Sequence, residues 1–68
     1  METNTLVDGQ IVSTDNVTNL RSAKDLAMAT LNVLLSEGTK GVFVIYDEDG
    51  TPKEQWLIKD KQIIHQVL

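Results

Sequence analysis

A chain of 68 residues without Cys makes one small domain that no disulfide can brace, and its single His falls short of the Cys and His sets that hold structural zinc. Ten acids against six bases give a net charge of −4, which argues against non-specific nucleic-acid binding and against anionic membrane surfaces, since both need Lys and Arg. So short a chain buries only about 60% of the surface its unfolded form exposes, and self-association is the expected supplement to its thin core.

No apolar run approaches the roughly 18 residues of a membrane span. The opening METNTLVDGQ has neither a basic segment nor a signal-length apolar stretch, so the expected location is the cytoplasm. Asn16-Val17-Thr18 fits a glycosylation acceptor, but without a secretion signal the match is read as chance.

Residues 5–13, TLVDGQIVS, place Asp8-Gly9 between two short β-prone runs. Asp-Gly suits a type I′ turn, whose two central residues both need positive φ. The expected hairpin pairs Val7 with Gln10 and Leu6 with Ile11; the rival is a flexible arm. Residues 14–21 are rich in Thr, Asn and Asp, which compete for backbone hydrogen bonds and read as a connection.

Residues 22–37 form the clearest helix. Ser22 is the expected N-cap, with Asp25 completing a weak capping box, and Gly38 is placed for a left-handed stop. Ala23, Leu26, Ala27, Leu31, Leu34 and Leu35 recur at helical spacing. Met28 and Val33 widen that arc, which predicts cover on more than one side, while Lys24, Asn32 and Ser36 mark the wet face.

Residues 41–58, GVFVIYDEDGTPKEQWLI, hold all three aromatics and read as a second hairpin. Asp-Glu-Asp-Gly fits a three-residue loop with Gly50 left-handed, pairing Asp47 with Thr51 and Val42 with Trp56. That register predicts one face of Val42, Val44, Tyr46, Pro52, Trp56 and Ile58, broken only by Glu54 and covered by the helix. Phe43, Ile45 and Leu57 are then expected on the opposite, uncovered face. Pro52 hints at an edge strand. After the polar Lys59-Asp60-Lys61, residues 62–68 form a third strand with Ile63, His65 and Val67 on one face. The predicted fold class is α+β: an N-terminal β segment, one helix, then a three-stranded antiparallel meander. The helix, Gly38, apolar strand and Asp49-Gly50 loosely resemble the opening of the roadblock and longin folds over less than half the chain; the chain is too short for either, and no family is assigned.

Candidate sites are few. His65 has no Cys or elbow nucleophile to work with and is read as structural or interfacial. Asp47, Glu48 and Asp49 lack the alternating spacing of a calcium loop and are read as a solvated turn. Lys53 and Lys59 are the candidate anchors for an anionic ligand, although no Gly-rich loop accompanies them. Phe43, Ile45 and Leu57 are the candidate interface, because an uncovered apolar strip marks a binding surface.

The expected function is a small non-enzymatic interaction protein, a homo-oligomer acting as a regulator or inhibitor by surface contact, with a possible protein partner and no cofactor. Its size and acidity are those of bacteriophage and mobile-element accessory proteins, by analogy alone. The alternative is a ligand- or nucleotide-binding protein with a pocket between subunits.

Overall fold

A computed structural model describes all 68 residues. The chain runs β1 (Glu2–Val7), β2 (Gln10–Asn16), α1 (Leu20–Ser36), β3 (Gly41–Tyr46), β4 (Pro52–Lys59) and β5 (Gln62–Val67). All five strands join one sheet in the order β2-β1-β3-β4-β5, with every pairing antiparallel. The architecture is α+β, as the sequence predicts. The helix packs on β3, β4 and β5, on one side of the sheet.

The N-terminal segment is a hairpin rather than an arm. Asp8 and Gly9 both take positive φ (53° and 77°), and Val7 faces Gln10 and Leu6 faces Ile11 as expected. Beyond them a bulge at Val12 shifts the register, and β2 continues through residues 14–16, expected to be a connection. What local reading could not supply is the join of β1 to β3, with Leu6 opposite Val42 and Thr3 opposite Ile45. That join merges hairpin and meander into one sheet.

The helix starts two residues earlier than expected. Asn19, in an extended conformation, is the N-cap, and its Oδ1 accepts the Ser22 N–H at 2.9 Å. Asn serves as well as Ser at this position, so the cap is set by where the chain leaves β2. At the other end Gly38 has φ 71°; its N–H donates to Leu35 O and the Thr39 N–H donates to Leu34 O, a Schellman stop. Ala23, Ala27 and Leu31 are fully buried, with Leu26, Leu34 and Leu35 packed around them. Val33 is 58% exposed, so the helix is covered on one side only, not on two as its wide apolar arc predicts. Gly41 lets this helix approach β3: a Cβ there would collide with the Leu34 side chain.

The register of the β3–β4 hairpin decides which face is buried. Near the turn it is as expected: the Asp47 N–H donates to Thr51 O, and Tyr46 faces Pro52. One residue further a bulge intervenes, so Ile45 faces Glu54, Phe43 faces Trp56 and Val42 faces Leu57. The extra residue is Lys53. A one-residue shift sends every later side chain to the other side of the sheet. Phe43 and Ile45, expected on the uncovered face, are therefore fully buried under α1 with Trp56 and Ile58. Val42 and Val44, expected under the helix, lie on the uncovered face, where Leu57 also sits as expected. Pro52 does not mark an edge strand, since β4 lies between β3 and β5. It is tolerated because it is the first residue of β4 and β5 pairs with β4 only from Glu54 onward.

Candidate functional site

The uncovered face of the sheet is organised in rows across the strands. One row reads Ile11–Leu6–Val42–Leu57–Ile64, one apolar residue from each strand. The adjacent row reads Thr14–Asn4–Val44–Gln55–Gln66. At a strand spacing of about 4.8 Å the apolar row is about 19 Å long. Ile11 is 58% exposed, and Leu6, Val42, Leu57 and Ile64 are half-buried with no helix above them. A depression of about 430 Å³ opens among Leu6, Val42, Val44 and Gln55, with Asp8 and Lys40 also lining it.

The flanking row is polar but uncharged, and its side chains bond to one another. Thr14 Oγ1 donates to Asn4 Oδ1 at 2.7 Å, and Gln55 Nε2 donates to Gln66 Oε1 at 2.7 Å. These bonds orient the amides along the sheet and leave the apolar row as the prominent feature. Of the interface candidates, only Leu57 belongs to it. Val42 was missed because the bulge at Lys53 carries no glycine and no other local signal, and Leu6 and Ile11 because they reach this face only through the join of β1 to β3.

Opposite, on the helix side, β4 and β5 hold an acid–imidazole pair at the margin of the core. Glu54 is 8% exposed, and its Oε1 lies 2.8 Å from His65 Nε2. The His65 ring stacks on Trp56 with centroids 4.6 Å apart and planes 16° from parallel. Trp56 in turn meets Phe43 edge-on at 6.3 Å. Glu54 faces Val67 and His65 faces Trp56, so the pair is a diagonal contact between adjacent strands. Its role is to satisfy a carboxylate that burial would otherwise penalise. The hydroxyls sharing the His65 row, Thr5 and Ser13, are three and four strands away, about 14 and 19 Å. Within its own row of the sheet the imidazole has no hydroxyl beside it.

The ligand-anchoring candidates are not brought together. Lys53 stands at the β3–β4 end of the sheet and Lys59 beside the β4–β5 turn, about 20 Å apart along one strand. Lys53 borders a cleft of about 540 Å³ that also receives Glu2, Tyr46, Asp47 and Glu48. Three carboxylates, Glu2, Asp47 and Glu48, make that cleft poor for an anion. The acidic turn itself is closed by its own backbone: Asp47 Oδ1 accepts N–H groups from Asp49 (3.2 Å) and Thr51 (3.0 Å). The Asp49 carboxyl is held below its ordinary range, first by hydrogen bonding with the Asp47 side chain and then with the Thr51 side chain. No group of three His, Cys, Asp or Glu side chains is placed to hold a metal ion.

Together these features define a small α+β protein with one helix on a five-stranded antiparallel sheet and the other sheet face open. No family model, curated protein or solved structure matches the chain. No helix is long and apolar enough to cross a membrane.

Proposed function

We propose that the chain is a non-enzymatic interaction protein that regulates or inhibits a protein partner by contact through the open face of its sheet. The observation that carries this reading is the five-residue apolar row Ile11–Leu6–Val42–Leu57–Ile64, continuous across every strand and lacking cover. The two rows described on this face contain no charged side chain, although 24% of the chain is charged. A surface so depleted in charge has the composition of an interface centre. The cations that border this face, Lys40 beside the depression and Lys59 beyond Leu57 on β4, are too few for a nucleic acid or an anionic membrane. The separation of Lys53 from Lys59 and the acidic setting of Lys53 favour this reading over that of an anion-binding pocket.

The test compares partner capture by the native chain with capture by Leu57→Asp and Val33→Asp. Leu57 is on the open face, and Val33 is on the solvent side of the helix. The same partner should be retained by the native chain and by Val33→Asp and lost by a folded Leu57→Asp. Retention by Leu57→Asp with loss on Val33→Asp would move the contact to the helix.

A further inference from the structure

The two edges of the sheet are not equally protected. Strand β2 carries the Val12 bulge and Asp15, both devices that discourage a further strand from adding. Strand β5, QIIHQV, has no acid, no Lys, no Pro and no bulge, and it pairs with β4 in unbroken register. Its Val67 is 76% exposed, more than any other large apolar side chain.

Hydrogen bonding fixes which backbone groups of β5 are free. The Leu68 N–H donates to Lys53 O at 3.0 Å. Antiparallel ladders alternate, so Gln62, Ile64 and Gln66 also turn their N–H and C=O toward β4. Ile63, His65 and Val67 then turn theirs outward, giving three donors and three acceptors along the edge.

We infer that two copies of the chain pair antiparallel through β5, about a two-fold axis at His65, to form a continuous ten-stranded sheet. In this register His65 faces His65, Ile63 faces Val67 and Val67 faces Ile63 of the second copy. All six outward groups of each edge are then bonded, which no pairing displaced along the strand achieves. The same register sets exposed Val67 against half-buried Ile63 in two apolar cross-strand pairs, one on each side of the axis. Each His65 keeps its own Glu54, whose contact runs inward to β4. Residues facing each other across an antiparallel pair share a side of the sheet, so both helices fall on one side and both open faces on the other. The dimer thereby presents two contact surfaces in the same plane. This inference rests on the edge alone and stands or falls separately from the proposed use of the face.

The test is the mass of the native chain and of Val67→Pro by sedimentation equilibrium, in a concentration series up to about 1 mM. Proline at an outward-facing edge position removes no bond within the chain. In the dimer it removes two, because each Val67 N–H donates to Ile63 of the second copy. The native chain should approach twice its chain mass, and dissociation of Val67→Pro should be about 100-fold easier. Val12→Lys, on the other edge, should dimerise like the native chain. In the native chain, exchange of the Ile63, His65 and Val67 amides should slow as concentration rises, a reading that needs no variant to fold. A native chain that stays monomeric, a Val67→Pro chain as dimeric as the native one, or outward amides whose exchange ignores concentration would each overturn the inference.

Discussion

The bulge at Lys53 makes a sharp prediction, because it exchanges the fates of neighbouring residues on β3. Phe43 is fully buried beneath α1 with its ring edge on Trp56. Replacing it with Ala empties a core site, which costs about 3–5 kcal/mol, including the aromatic contact. Leu57 lies on the open face, half-buried by its neighbours, and Leu57→Ala should cost about 1 kcal/mol. A chain of this length has a total stability of about 3–10 kcal/mol, so the first change consumes much of it and the second little. Urea unfolding followed by the fluorescence of Trp56, the only Trp, reads both. With a slope of about 1 kcal/mol per M, the midpoint should fall by about 3 M or more for Phe43→Ala and about 1 M for Leu57→Ala. Equal losses would put Phe43 on the open face beside Leu57, as the unshifted register does, and would mean that the wrong side of β3 has been described as open.

Other expectations follow from single contacts. His65→Ala leaves the Glu54 carboxylate buried without its partner and should cost about 1–2 kcal/mol, below the value for a fully buried pair because His65 is 44% exposed. Adding Glu54→Gln should recover part of that loss, and a double-mutant cycle with no coupling would reject the pair as a structural unit. Asn19→Ala removes the helix cap at a cost of about 1 kcal/mol, a fall in Tm of about 4–8 °C; an unchanged Tm would return the cap to Ser22. Asp49 titrates below its ordinary value in the folded chain, so its stabilising contribution is complete above that value and disappears as pH falls through the lowered one. A carboxyl NMR titration placing Asp49 at or above the ordinary value would contradict the hydrogen bonding drawn around the turn.

The elements themselves were legible because their signals are local. Asp8-Gly9 fixed a turn and its register, Gly38 fixed a helix stop, and alternation in residues 62–68 fixed a strand. The join of β1 to β3 was not legible, since it links residues nearly forty positions apart and neither strand carries a mark of its partner. The face of β3 was lost to one extra residue on β4: the expected loop is present, but Lys53 adds a bulge after it, and the segregation of apolar residues favoured the unshifted alternative. Glu54 was visible as a lone acid interrupting an apolar face. Its partner His65 became identifiable only once β4 and β5 were aligned, eleven residues apart in sequence. The open face inherits the same error. Leu57 was placed correctly because its strand position alone puts it opposite Trp56, while Val42 and Val44 exchanged places with Phe43 and Ile45.

The most direct test of the account is methyl NMR of the chain with a soluble paramagnetic agent, before and after a captured partner is added. The account predicts that the methyl groups of Leu6, Val42, Leu57 and Ile64 are broadened in the free chain and shielded in the complex. Those of Ala27, Leu31 and Ile45 should be unaffected throughout, being fully buried beneath or within α1. Broadening at Ile45 with shielding at Val42 in the free chain, or a complex that leaves all four open-face residues exposed, would contradict it.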